Sequence, residues 1–232
     1  VVDDKGRLLG RITHDDVLDV AEEEAEEDLL LVAGTSAEEL ATSSVFQAAR
    51  IRLTWLLPCM IGMCLSATVL YVAGGHFDAA ILALISPFVP MIGATGGNSG
   101  IQISTVIIRG FASGDAGSTK IIRAFAREGR IALAMAPVCG IVAWIAVTLG
   151  LPMLSALSGH AADPYFVHRV ALAVCVAMTA AILVAAVLGI LLPFTFRRLG
   201  VDPAIASGPI VTTMNDVISV SIYMTTAMLI AR

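Results

Sequence analysis

The sequence predicts an all-α membrane protein with five transmembrane helices per subunit, preceded by a short α/β segment and a connecting amphipathic helix. Three observations carry that class. Of 232 residues, 57% are hydrophobic and only 14% charged, with a mean hydropathy of +0.88, which lies outside the range of ordinary soluble domains. Charge is divided unevenly: residues 1–49 hold 13 of the 19 acids and 3 of the 14 bases. Apolar runs near 51–73, 79–108, 131–154, 167–196 and 204–230 are each long enough to cross a ~30 Å hydrocarbon core as a helix.

The acidic front end reads as water-exposed. Val1 and Val2, the turn Asp3-Asp4-Lys5-Gly6 and the run Leu8 to Ile12 predict a hairpin of two short strands. Thr13 is placed to cap a helix running through Asp28. Residues 34–50 predict a second helix leading directly into the first span. Because the chain opens on Val1 and not Met, with a strand under way, it reads as the C-terminal piece of something longer. Cys59, Cys64, Cys139 and Cys175 all fall in apolar runs without a CxxC or Cys/His grouping, and are expected to be packing residues.

Basic residues orient the spans. Lys5, Arg7, Arg11, Arg50, Arg52, Arg109, Lys120, Arg123, Arg127, Arg130, Arg197 and Arg198 fall on one side, with only Arg169 and Arg232 opposite. By the positive-inside rule the N-terminus is cytoplasmic and the C-terminus external, in a multi-pass protein of the cell (inner) membrane.

Two spans are not plain anchors. The second carries Pro87 and Pro90, then Gly93, Thr95, Gly96, Gly97, Asn98, Ser99, Gly100 and Gln102. Polar or broken backbone at membrane depth must be covered by protein or line a water-filled cavity. Close helix packing accounts for glycines at the Gly96/Gly100 spacing, but not for the amides and hydroxyls. The fifth span carries Ser207, Gly208, Pro209, Thr212, Thr213, Asn215 and Asp216. Asp216 is the only ionisable side chain near the middle of any predicted span. A carboxylate there costs about 2.5–3.5 kcal/mol on insertion scales, so such residues usually face a polar pathway. With no intramembrane Lys or Arg to neutralise it, its partner must be a proton or a cation. Oxygen ligands without His or thiolate favour hard cations, and one or two carboxylates acting through water suit Mg²⁺ better than a Ca²⁺ cage. Proton or Na⁺ coupling stays open on this chemistry.

Residues 89–102, from Val89-Pro90 through Ala94-Thr95-Gly96-Gly97-Asn98-Ser99-Gly100 to Gln102, and residues 197–217, from Arg197-Arg198-Leu199-Gly200-Val201-Asp202-Pro203-Ala204 through Asp216-Val217, resemble the MgtE family of magnesium channels and transporters. The resemblance covers the whole five-helix region, 51–232. Residues 1–33, with Gly10-Arg11-Ile12-Thr13-His14-Asp15-Asp16-Val17, are similar to the end of a second CBS domain, and 34–50 to the connecting plug helix. Ile101 and Gly208 stand where the family usually has Asn.

The resemblance implies a homodimer in membrane lipid, with an Mg²⁺-selective pore between subunits and paired Asp216 carboxylates binding the hydrated ion. Gly93, Gly96, Gly97, Asn98, Gly100, Ser207, Gly208, Pro209, Thr212, Thr213 and Asn215 are the expected pore lining. It also implies Mg²⁺ as a regulator, with Asp15, Asp16, Asp19, Glu24, Glu27 and Asp28 as acidic positions of the cytosolic sensor. A nucleotide is expected only at a complete CBS pair in a full-length protein; the Thr13/Asp16 spacing fits ribose contact, but the rest of that pocket is missing. Weak or no closure by cytoplasmic Mg²⁺ is expected of this chain alone. The competing reading is a proton- or Na⁺-coupled secondary transporter with Asp216 as carrier; a membrane-anchored regulatory module binding a nucleotide is a third. Nothing points to an enzyme, a nucleic-acid partner or a redox cofactor.

Overall fold

The computed structural model describes residues 1–42, 44–112, 118–157, 163–206 and 208–230. Ser207 and Arg232 lie outside the described residues.

At the front, the expected hairpin is reduced to one antiparallel bridge between Val2 and Leu8. Asp3 holds the turn: its Oδ1 accepts from the backbone N–H groups of Lys5 and Arg7 at 2.9 and 2.8 Å, and Gly6 takes φ +75°. Val1, Val2, Leu8 and Leu9 are all exposed, and an unsupported two-stranded pairing is marginal. Helix α1 (His14–Val32) follows, started by a reciprocal capping box between Thr13 and Asp16. It ends at Gly34, whose φ of +80° lets Gly34 and Thr35 donate to the Leu31 and Leu30 carbonyls.

The single helix expected over 34–50 is two pieces. Helix α2 (Ala37–Ala41) stops at Thr42, which is extended. Helix α3 (Val45–Gly74) starts afresh, with the Ser44 hydroxyl accepting from Gln47 N–H. Hydroxyl residues favour caps over helix interiors, and residues 42–44 are Thr-Ser-Ser. Arg52 of α3 pairs with Glu39 of α2, its Nε donating at 2.7 Å.

The second span is also interrupted, though not in its glycine run. Helix α4 (Ala79–Ile85) passes through a 3₁₀ turn, Ser86–Phe88, into α5 (Val89–Ala112). Pro87 lacks an N–H, so the break falls there, while residues 91–102 are continuous helix. The buried Tyr223 hydroxyl donates to the Ile85 carbonyl at the break, at 2.9 Å.

Helices α6 (Ser118–Leu157) and α7 (Pro164–Arg198) follow, then a 3₁₀ turn, Pro203–Ala206, and α8 (Pro209–Ile230). Helix α7 is the hub, packing against α5, α6 and α8. Its small residues Ala171, Ala177, Ala181 and Ala185 are fully buried and let the helices approach closely. Helix α3 is peripheral and packs chiefly on α8; 6% of its apolar window is buried, against 50% for α7. The rest of the described chain leaves that apolar face bare.

Four of the five expected spans are long and apolar enough to cross a membrane: Val45–Gly74, Ala79–Phe111, Ile122–Met153 and Pro164–Arg198. Helix α8, at 22 residues, has the length, but Asn215, Asp216 and its hydroxyl residues dilute its hydropathy. Among the described residues there is no strand beyond the isolated bridge.

Candidate functional site: the seam between α5 and α8

Helices α5 and α8 lie antiparallel, and glycine sets how closely. A Cβ built on Gly93 would lie 2.9 Å from Asp216 Oδ1; on Gly96, 2.5 Å from Asn215 Nδ2; on Gly97, 3.2 Å from Thr212 Cγ2; and on Gly100, 2.6 Å from Val211 Cγ1. Side chains at all four positions would push the helices apart. On the other flank of α8, Gly62 of α3 sits under Thr213. The four α5 glycines therefore act as a packing seam within one chain, carrying Asp216 and Asn215 on its α8 side.

The two polar residues differ in environment. Asn215 is fully buried, and its Nδ2 donates a long hydrogen bond to the Gly93 carbonyl at 3.5 Å. Among the described residues its Oδ1 has no partner, nor do the buried hydroxyls of Ser66, Ser99, Ser104 and Ser219. Asp216 is half-buried. Among the described residues its carboxylate makes no hydrogen bond or ion pair. Thr212 spends its hydroxyl on the Gly208 and Pro209 carbonyls, at 3.1 and 3.0 Å. Asn98 faces outward, and with Gln102, Thr105 and Arg109 it forms an exposed polar stripe along α5 at helical spacing.

At the end of α8 nearest the soluble segment, Gly208 packs under the Val32 carbonyl and Pro209 against Gly34. Cys59 Sγ lies 3.8 Å from the Pro209 carbonyl. Leu31 and Val32 of α1 close onto Trp55, Ile108, Ala204 and Ile205. The end of the acidic helix is thereby seated on the bundle, beside the start of α8.

The other acids of α1 are not gathered. Among the described residues no three His, Cys, Asp or Glu side chains are placed to hold a metal ion. Asp15, Asp19, Glu24 and Glu27 are exposed. Asp16 is engaged in its cap, accepting from the Thr13 hydroxyl and N–H, both at 2.7 Å; those bonds hold its carboxyl below the usual range. Thr13 and Asp16 thus satisfy each other. Burial pushes the Asp28 carboxyl up, helped by the neighbouring charges of Asp202, Glu24 and Glu27.

Sequence reasoning missed three features. Gly62 was visible only as one small residue in a long apolar run. Asp202 was quoted within a motif but gave no sign that it would face Asp28. Glu128 lay just outside a predicted span, whereas α6 begins early enough to bury it, with one ion pair to Arg127 at 3.0 Å.

The family profile described as MgtE, divalent cation transporter, matches residues 89–226, which contain the whole seam. The chain is 32% identical over 239 residues to the magnesium transporter MgtE of Thermus thermophilus, covering 99% of this chain and 48% of that protein. It is 32% identical to that of Enterococcus faecalis over 235 residues, 100% and 48% of the two chains. The Bacillus subtilis protein of the same name is 30% identical over 225 residues, 96% and 46%. The chain spans about half the length of the curated relatives it matches. With the profile lying across both halves of the glycine seam and the aspartate it presents, the chain belongs to the MgtE family of divalent cation transporters.

Proposed function

We propose that the chain carries Mg²⁺ across the membrane through a pore between two copies, with α8 as a fifth span and the paired Asp216 carboxylates binding the hydrated ion. The observation that carries this reading is a carboxylate at membrane depth with no hydrogen-bond or ion-pair partner among the described residues, bordered by the exposed stripe of Asn98, Gln102 and Thr105. Lipid solvates neither, so a water-filled path or a second copy must. The relatives are named magnesium transporters, which supports Mg²⁺ as the ion. A hydrated Mg²⁺ needs few protein ligands, since it gives up its waters reluctantly.

In this reading the basic ends face the cytoplasm and α1 is cytosolic. Asp15, Asp19, Glu24, Glu27 and Asp28 act as regulatory positions only together with groups from elsewhere, because the chain does not cluster them. A nucleotide belongs to a complete CBS pair.

The test is Mg²⁺ flux into liposomes carrying the chain, Asp216→Ala or Asp216→Asn. At about 5 Å through one water, and an effective dielectric near 20, a divalent ion and a carboxylate attract by several kcal/mol, so losing the charge lowers flux by about a hundredfold or more. Both variants should remain folded, since the carboxylate makes no contact that holds the chain. Uptake by Asp216→Ala at the unmodified rate overturns the assignment. Uptake that needs a proton or Na⁺ gradient would make Asp216 the carrier of a secondary transporter instead.

A further inference from the structure

A cavity opens between the start of α6 and the end of α7, on the side of α7 away from α8. Its volume is about 480 Å³, and its walls are Phe125, Ile190, Leu191 and Phe194, with Arg197 and Arg198 at one end. We infer that this cavity binds an anionic phospholipid, its acyl chain along the apolar walls and its phosphate between the two guanidinium groups.

Placement is the first argument. At 1.5 Å per residue, α7 is about 52 Å long, well beyond a ~30 Å hydrocarbon core, so its last turn stands at headgroup level. Apolar grooves ending in basic residues at that depth are suited to acidic headgroups.

The second argument is that, among the described residues, neither arginine is taken up by the helix end or by a carboxylate, and a basic pair that marks the cytoplasmic side is free to meet a headgroup there. Cations at a helix C-terminus often serve its free carbonyls. Here the backbone already does so: Leu199 N–H donates to the Thr195 and Phe196 carbonyls, Val201 N–H to Phe196 and Gly200 N–H to Arg197, with Gly200 at φ +73°. Among the described residues neither Arg197 nor Arg198 has a carboxylate partner.

The third is that the site is built. The Arg197 guanidinium lies over the Phe111 ring, 4.5 Å from its centroid. Phe111 is held edge-to-face by Phe194 at 4.9 Å. One charge is thus fixed by Phe111, which is itself held by the wall residue Phe194. A free phosphate would use the arginines but leave the walls bare, which is why a lipid fits better.

The inference needs only that α6 and α7 cross the membrane, not that Mg²⁺ is the cargo. Phe125 is exposed enough, at 47%, to become a reporter as Phe125→Trp, with Trp55→Phe and Trp144→Phe removing background. The chain is placed in phosphatidylcholine vesicles containing brominated phosphatidylglycerol or, at equal mole fraction, brominated phosphatidylcholine. We expect the reporter to be quenched preferentially by the anionic lipid, and the preference to fall about fivefold for each arginine in Arg197→Gln and Arg198→Gln, since each surface cation contributes on that scale. Arg197→Lys with Arg198→Lys should retain most of it. Equal quenching by both lipids, an unchanged preference in the double Gln variant, or loss of the preference on adding inorganic phosphate would each overturn the proposal. Absence of quenching by either lipid would also overturn it, showing the cavity filled by a second copy. Quenching of Trp144 by brominated phosphatidylcholine in Trp55→Phe alone reports insertion separately, so a failure of the lipid site is distinguishable from a failure to span the membrane.

Discussion

Gly96→Ala should destabilise the chain through one identifiable contact. The added methyl would lie 2.5 Å from Asn215 Nδ2 and 3.3 Å from its Cγ and Oδ1. Asn215 has no exposed surface, so its amide cannot swing into solvent. Overpacking of this kind costs about 1–3 kcal/mol, and losing the Nδ2 bond to the Gly93 carbonyl adds about 1 kcal/mol. Against this, alanine is favoured over glycine in a helix by about 1 kcal/mol. Gly150→Ala supplies the control: it lies within α6 with nothing inside 4 Å of a built Cβ, so it takes the propensity gain without the clash. The two variants should differ by about 2–4 kcal/mol in reversible unfolding in mixed micelles. A second substitution, Asn215→Ala, should remove most of the penalty from Gly96→Ala, because it deletes the atoms that clash. Equal stability of Gly96→Ala and Gly150→Ala, or no relief from Asn215→Ala, would refute the close-approach account of the seam.

Three further outcomes are expected. Gly97→Leu drives a branched side chain against Thr212, whose Cγ2 is 3.2 Å and Cα 3.8 Å from a built Cβ, and should reduce Mg²⁺ flux to background at equal expression; unaltered flux would show that α8 can yield there. Thr13→Ala removes both halves of the α1 capping box and should speed amide exchange in the first turn about fivefold, the size of a typical cap effect; unchanged exchange would mean that the box does not hold the helix start. Because the folded Asp28 carboxyl is raised, by burial and then by Asp202, Glu24 and Glu27, seating of the α1 end is favoured while Asp28 is protonated and weakens as pH rises from the ordinary carboxylate range through the raised value; amide protection at Leu31–Ala33 should fall over that interval, and Asp28→Asn should flatten it.

The long helices were legible because apolar runs of membrane length admit few other structures. Their ends were not. The start of α6 at Ser118 rather than near 131 was hidden by its arginines, which lie outward while Ala124, Glu128 and Ala132 on the same helix face inward; a basic amphipathic turn looks like a loop when only mean hydropathy is read. The glycine run of the second span left broken or merely polar backbone open, since glycine is a poor helix former in water. In the bundle the same residues stay helical, since the approach of α8 that they permit outweighs their propensity. Asp216 stood out by charge alone, and its lack of an ion pair among the described residues follows from the scarcity of cations at that depth. Its contact with Gly93 depends on which helices pair, and no local pattern records that.

The same distinction changes the mechanical connection between the acidic segment and the seam. The sequence predicted that connection through one rigid helix over 34–50 entering the first span. In the structure that helix is interrupted between Ala41 and Val45, so bending along that route is not passed on as by a continuous rod. A shorter route exists. Leu31 and Val32 touch the 3₁₀ turn before α8, the Val32 carbonyl abuts Gly208, and Gly34 abuts Pro209. Any side chain at Gly208 would collide with the Val32 backbone, so the two segments can meet in this way only with glycine there. Asp216 lies about two helical turns further along α8. Displacement of the α1 end therefore acts on the first turn of the helix that carries the carboxylate, and the burial of Asp28 and its repulsion by Asp202 across the junction oppose seating there.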